Sequence, residues 1–330
     1  MSVFRAFRIH QENGQVSARF DTIALDDLAP GEVVIRVQYS TINYKDALAA
    51  TGAGRILRKF PLVGGIDLAG EVVSSSDPAF SQGQRVLVTG CGLSETHDGG
   101  YAEYARVKSD WVIPAPAGLD AWHCMALGTA GFTAALAIHQ MERNGQSPGQ
   151  GEIVVTGASG GVGSLAIDML AGRGYRAVAV TGKRSAEDYL KSIGAIRVLW
   201  RDVIDLGSRP LEEAQWAGAI DAVGGDLLTW LTRTTHPFGN IASIGMAGGA
   251  DLKASVFPFI LRGINLLGIN SVLTPRELRR VVWQRLASDL KPRHLERIVT
   301  RTIGFDELPG AFAGYVQGKI TGRTVVRIGQ

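Results

Sequence analysis

The stretch GEIVVTGASGGVGSLAIDML, residues 151–170, reads as an apolar strand, a cluster of glycines and then an apolar helix. Small residues crowd a strand-to-helix seam when a phosphate-bearing ligand lies across the turn, because the backbone must come close to the anion. The spacing Ala158-x-Gly160-x-x-Gly163 is the dinucleotide fingerprint with alanine at its first position. In that pattern Gly160 lets the backbone approach a pyrophosphate, and Gly163 lets the helix pack closely on the strand. The first N–H groups of the helix then offer a partial positive charge to the phosphates. Ser159, Gly160, Gly161 and Val162 are the candidate contacts.

The neighbouring sequence supports a nucleotide-binding fold. After the loop NGQSPGQG (144–151), strands are expected at IVVTG, RAVAVTG, IRVLW, GAIDAVG and NIASIG. Helical segments lie between them, including SAEDYLKSIGA and DLLTWLTRTT, and NLLGINSV (265–272) reads as a sixth strand before the helix TPRELRRVVWQRLASDL. That alternation implies a parallel sheet with helices on both faces. Residues 1–120 are β-rich instead, with EVVIRVQYSTIN and RVLVTG as strands and two more within GGYAEYARVKSDWVIPAPAG. Residues 121–144 have helical spacing. The final GRTVVRIG reads as a strand returning to the first domain, so the nucleotide-type domain is an insertion in a β-rich one.

The tip of the second strand of the alternating region decides which dinucleotide fits. An NAD site places an acid there, on the ribose 2′-hydroxyl. Here the tip is Thr181, Gly182, Lys183 and Arg184, and the first acid is Glu187. Cations attract a 2′-phosphate, and a charge-assisted contact of this kind is worth about 1.5–3 kcal/mol. Thr181, Gly182 and Lys183 join the candidate contacts, and the reading is NADPH.

Composition narrows the setting. A chain of 330 residues can build two cores, and a net charge of +3 is too small to argue for nucleic acid or an anionic membrane. Two cysteines, Cys91 and Cys124, give neither a disulfide framework nor a zinc cluster, which points to the cytoplasm. The N-terminal MSVFRAFRIHQENG has charges where a signal peptide needs an apolar core. The run CMALGTAGFTAALAI is broken by threonines and glycines and is shorter than a bilayer span, so no membrane partner is expected.

Taken almost end to end, the chain resembles the zinc-free, quinone-oxidoreductase-like branch of the medium-chain dehydrogenase/reductase superfamily, and within it the acrylyl-CoA reductase group. The resemblance rests on INYKDALAATG (42–52), GIDLAGEV (65–72), GTAGFTAALAI (128–138), TGASGGVGS (156–164), WAGAIDAVG (216–224), SVFPFILRGINLLGINSV (255–272) and GRTVVRI (322–328), besides the GGYAEYARV segment. It implies an α/β protein: a GroES-like β-rich catalytic domain, residues 1–122 and 292–330, around a Rossmann-type doubly wound parallel sheet that binds NADPH, residues 123–291. Gly64 stands where the family carries proline, and Cys91 and Asp98 where tryptophans are usual. These departures fall on the substrate side.

Zinc-dependent relatives place a cysteine near the NYKD position and a histidine–glutamate pair near GIDLAG. This chain has Tyr44 and Lys45 at the first and Ile66 and Asp67 at the second, so no metal is expected. Without a Lewis acid a conjugated C=C–C=O is the easier acceptor: hydride adds at the β-carbon, and hydrogen-bond donors hold the enolate oxygen. A phenol ionises only near pH ~10, which makes Tyr44 a neutral donor able to polarise the acceptor or touch the cofactor. Asn43 offers an amide donor, or else both residues only cap and pack the NYKDALAA helix. Asp67 either orients one of them or makes a structural hydrogen bond. By resemblance Arg197 and Arg323 reach NADPH phosphates or the cleft, or are surface arginines. The loop with Arg55, Arg58 and Lys59 either receives coenzyme A phosphates or is simply solvated.

The activity implied is NADPH-dependent reduction of an enoyl thioester, acrylyl-CoA first, by a homodimer. A quinone or alkenal/enone reductase and a non-catalytic NADPH-binding protein are the alternatives. The homodimer is expected from the apolar sixth strand, whose edge either pairs with its copy or is covered by the chain's own helix TPRELRRVVWQRL.

Overall fold

A computed structural model of the chain describes residues 3–329, which divide into two compact units. The first comprises residues up to Thr129, then Val272–Arg280 and Val299 onward; the second comprises Ala130–Ser271 and Val281–Ile298. The boundaries drawn from sequence, 122/123 and 291/292, fall a few residues from these, and Val272–Arg280 joins the first unit instead of the second.

Strand Val33–Ile42 organises the first unit. Val33, Ile35 and Val37 alternate inward and are fully buried, while Arg36 points out to solvent, the period-two pattern of a half-buried strand. It pairs antiparallel with Asp67–Ser75, Tyr104–Val107 and the C-terminal Arg323–Arg327. Thr324 lies opposite Ile42 and Arg327 opposite Tyr39, so the end of the chain does return to the β-rich unit. Arg85–Thr89, Ile113–Pro114 and Val299–Gly304 complete a seven-stranded sheet. A second sheet begins with the hairpin Phe4–Glu12/Gln15–Ile23 and adds Leu62–Val63. The sequence reading passed over this hairpin, although Asn13 and Gly14, both at positive φ, form the two-residue turn that suits strand twist. Phe7, Val63, Leu68, Tyr101 and Phe312 are among the residues that fill the core.

The second unit holds a six-stranded, wholly parallel sheet in the order Arg197–Trp200, Arg176–Thr181, Glu152–Thr156, Trp216–Asp221, Thr235–Ser243, Asn265–Gly268. Counted along the chain this is 3-2-1-4-5-6, the doubly wound order. Ile153, Val154 and Val155 are buried without alternation, as expected when both faces of a parallel sheet are covered. The sixth strand is four residues long and forms the edge; the remainder of NLLGINSV leaves the sheet.

Helix Ala121–Arg143 is longer than the apolar run suggested. It is long and apolar enough to span a bilayer, but 78% of its most apolar window is buried inside the protein. Gly128, at φ 51° and ψ −155°, interrupts it. A Cβ at that position would come within 2.8 Å of an Asp67 carboxylate oxygen and 2.9 Å of the Arg323 guanidinium. Glycine is therefore what lets the chain turn against a polar cluster.

Candidate active site

In the second unit the glycine turn closes the first strand of the sheet, at the point where strand order reverses, which is where ligands of such sheets bind. The left-handed backbone falls on Gly157, at φ 60°, so alanine at position 158 costs nothing. A Cβ on Gly163 would lie 2.5 Å from the Gly157 carbonyl oxygen and 2.7 Å from the Ala158 α-carbon, so that glycine seats the helix on the strand. A Cβ on Gly160 would meet only the Gly157 carbonyl, at 3.3 Å, which leaves its outer face open. Gly160 precedes helix Gly161–Gly172 with no side chain capping it, so the amides of Gly161 and Val162 belong to a bare helix N-terminus. This is a cradle that fits a pyrophosphate.

At the same edge, the hydroxyls of Ser159 and Thr181, both buried, lie 3.1 Å apart. The Thr181 hydroxyl also accepts from the Lys183 amide at 3.1 Å, which fixes the turn. Lys183 is half-buried, and desolvation lowers its pKa. Arg184 bonds Asp202 at 2.8 Å and stacks over Trp200. A cation that sequence reasoning missed stands beside the tip: Arg201, whose guanidinium would lie 3.2 Å from a Cβ on Gly182. Its signal was its place just past the third strand, on the edge where all strands of a parallel sheet end. Asp221, fully buried, closes the next loop by accepting from the Thr156 hydroxyl and, at 2.8 Å, from the Gly224 amide. Burial raises its pKa against those hydrogen bonds.

Arg197 is not brought to this edge. It opens its strand, at the amino end of the sheet, where it bonds Glu152 and stacks over Trp216. A strand's first residue and its last lie at opposite ends of a parallel sheet, and a phosphate contact needs the other end.

The first unit contains the second cluster, centred on Asn43. This residue caps helix Tyr44–Thr51, with its backbone amide held at 2.8 Å by Asp46. Its side-chain amide donates to Asp67 at 2.8 Å and to Asp46 at 3.2 Å. Its carbonyl oxygen accepts from Arg323 at 3.1 Å. The carboxamide is fully engaged, so Asn43 has no amide proton to offer a substrate, and that expectation is corrected. Asp67 also accepts from the amide of Thr129 at 2.9 Å and from the Thr129 hydroxyl. Thr129 is a partner that the sequence did not single out, and its amide is available because the helix breaks at Gly128. Asp67 therefore orients Asn43 and not Tyr44. Asp46 accepts a further bond from the Ile66 amide at 2.9 Å.

Arg323 is neither a surface arginine nor a phosphate ligand: it is 2% exposed. Its guanidinium donates to Asn43, to the Thr41 hydroxyl at 2.6 Å, and to the carbonyls of Ile42 and Ala126. Tyr44, the first residue of the helix, is 46% exposed beside this buried network. Asp98, expected on the substrate side, instead spends its carboxylate on the amides of Ala29 and Val63, each at 2.8 Å. Cys91 packs half-buried against the core, and burial raises its pKa.

Two family models match the chain: "Alcohol dehydrogenase GroES-like domain" over residues 29–117 and "Zinc-binding dehydrogenase" over residues 161–288. The "putative quinone oxidoreductase YhfP" of Bacillus subtilis strain 168 is 47% identical over 99% of both chains. A crystal structure of that organism's YhfP with NAD bound superposes with a TM-score of 0.96 and covers 99% of this chain and 100% of that one. The "probable acrylyl-CoA reductase AcuI" of Escherichia coli K12 is 48% identical over 98% of this chain and 99% of that one. The yhdH oxidoreductase of Salmonella enterica, crystallised in complex with NADP, is 45% identical with a TM-score of 0.96, over 98% and 100% of the two chains. The chain belongs to the medium-chain dehydrogenase/reductase superfamily, in its acrylyl-CoA reductase group. The zinc in the second model's description finds no matching donor set: among the described residues no group of three or more His, Cys, Asp or Glu is placed to hold a metal ion.

The two carboxylates of the Asn43 cluster set a pH dependence. Burial, then the neighbouring charge of Asp67, lifts Asp46 from 3.8 to about 7, against the bonds from Asn43 and Ile66. Burial raises Asp67 as well, opposed by its bonds from Thr129 and Asn43. A folded-state pKa above the unfolded value means that the native protein binds the proton more tightly. The stability contributed is then full below about pH 4 and lost as pH rises through about 7. Urea unfolding of the protein and of Asp46→Asn across that window should show the difference shifting toward the variant, by up to about 1 kcal/mol per pH unit. Parallel curves would mean that Asp46 is ionised throughout.

Proposed function

We propose that the protein reduces the C=C bond of an enoyl thioester with NADPH, acrylyl-CoA to propionyl-CoA being the favoured case. What carries the reading is the exposed Tyr44 phenol rooted in the buried Asn43 cluster, in a chain that resembles acrylyl-CoA reductases over nearly its whole length. NADPH, when bound, supplies the hydride. The amides of Gly161 and Val162 and the open face of Gly160 suit its pyrophosphate, while Thr181, Gly182 and Lys183 suit its 2′-phosphate, with Arg201 beside them. The tip residues Thr181–Arg184 include no acid to favour NADH, and Asp202 beside them is paired with Arg184, although the Bacillus subtilis relative has been crystallised with NAD.

On the substrate, the β-carbon gains hydride and the α-carbon gains a proton, so charge passes through an enolate oxygen. Tyr44 donates to that oxygen. Asn43, Asp67 and Arg323 do not touch the reacting atoms; they fix the first turn of the helix that carries the phenol. Reduction of a quinone is the second reading, favoured by the description of the Bacillus subtilis relative. NADPH oxidation assayed with acrylyl-CoA, crotonyl-CoA, acrolein and a quinone separates the two.

We further infer a cytoplasmic homodimer that works on a small molecule, with neither nucleic acid nor membrane as partner. Free thiols at Cys91 and Cys124 are consistent with a reducing compartment. The edge strand Asn265–Gly268 exposes Leu266, and Phe257, Ile260 and Leu261 are exposed nearby in sequence, an apolar surface suited to a second copy. Light scattering at micromolar concentration should return twice the chain mass, and a monomer would refute the pairing.

Lys183→Asp should raise the dissociation constant for NADPH by roughly ten- to a hundredfold and leave NADH nearly unchanged. Equal binding of both cofactors by the unaltered protein would overturn that assignment. Tyr44→Phe should lower kcat by roughly ten- to a thousandfold, the scale for losing one donor to a developing oxyanion. A variant that changes only cofactor affinity would leave the phenol a packing role. Hydride-labelled NADPH should place deuterium on the β-carbon of propionyl-CoA, with solvent deuterium on the α-carbon.

A further inference from the structure

We propose that the loop bearing Arg55, Arg58 and Lys59 receives the phosphates of coenzyme A and makes the enzyme prefer CoA thioesters to shorter ones. The proposal rests on the enoyl-thioester reading. Gly52, at φ 70°, ends the Tyr44 helix and turns the chain into this loop. Leu57 is buried in a small cluster with Ile9, Ala49 and Leu62, and Ile56 and Phe60 pack against it. That anchoring leaves Arg55, Arg58 and Lys59 facing solvent.

Two bonds tie the loop back to the start of the helix. The Arg58 amide donates to the Glu95 carbonyl at 2.8 Å, and the Glu95 carboxylate accepts from Lys45 at 2.6 Å. Lys45 follows Tyr44 directly, so the loop is linked to the neighbour of the phenol, and the acid at that junction already has its counter-charge. Arg55, Arg58 and Lys59 make no ion pair among the described residues. In the same unit, Arg5, Arg8, Arg19, Arg36 and Arg106 each meet a carboxylate. Three cations held together by an apolar anchor, without acids between them, create a local positive field that an anionic ligand relieves. The 3′-phosphate and diphosphate of coenzyme A have that charge. The pantetheine arm separates them from the thioester, which leaves the acyl carbonyl to Tyr44.

The test compares acrylyl-CoA with acrylyl-pantetheine in the native protein and in R55A/R58A/K59A. The ratio of their kcat/KM values should fall by about ten- to a hundredfold in the variant, through KM. Calorimetric affinity for desulfo-CoA should fall in parallel, and salt should weaken desulfo-CoA binding less in the variant than in the native protein. R58E alone should reproduce the direction. An unchanged ratio overturns the proposal. So does a variant that loses affinity for NADPH while keeping desulfo-CoA, since that would assign the loop to the other phosphate-bearing ligand. If the native protein reduces neither thioester, the enzymatic reading fails, and desulfo-CoA calorimetry still decides the loop: binding that the variant loses supports it, and no binding overturns it.

Discussion

One carboxamide holds the first unit's chemistry together. Asn43 gives its two amide protons to two buried carboxylates and its oxygen to a buried guanidinium. Each of those partners is costly to bury alone, and each is tolerable because the amide and its neighbours satisfy it. The arrangement draws together a helix cap, the start of strand Asp67–Ser75, the break at Gly128 and the C-terminal strand. A hydroxyl is then presented to solvent from a helix whose first turn cannot shift without disturbing all of them. Rigidity behind an exposed donor is what electrostatic stabilisation of a transition state requires, since a donor that must reorganise loses much of its advantage.

The second unit solves a different problem, holding a large anion with backbone in place of side chains. Parallel pairing brings six strand ends to one edge, and glycines at the first of them let amides approach where side chains would stand in the way. Cations stand at the second and third strand ends, Lys183 and Arg184 at one and Arg201 at the other. Selectivity between two nearly identical cofactors is thus assigned to a few exposed atoms, and the fold itself carries what the two have in common.

The turn at 157–163 was legible because its spacing, its preceding strand and its following helix all lie within twenty residues, and local pattern suffices. Strand Arg323–Arg327 was legible too, as an apolar run at the end of a β-rich pattern. The destinations of Arg197 and Arg323 were not. Whether an arginine reaches a phosphate depends on which end of a strand it occupies and on partners such as Glu152, 45 positions away, or Thr41, 282 positions away. Asn43 was misjudged for the same reason: a donor in the sequence is available only if the folded protein leaves it unpaired, and Asp46 and Asp67 had already taken it. The hairpin at the amino end carries its signal in Asn13-Gly14 alone, because its charged and polar residues blur the alternation of the strands on either side.

The contact between Thr41 and Arg323 closes almost the entire chain into one loop. During synthesis, Asp46 and Asp67 emerge early and wait through the whole second unit for this cation. Until then the pair is better off hydrated or protonated than packed. The β-rich unit is thus topologically unable to finish before the nucleotide-type unit has been made, and closing the Asn43 cluster carries the loop-closure entropy of a contact 282 positions apart. A nascent chain therefore carries its whole glycine turn before it carries the arginine that completes the Asn43 cluster.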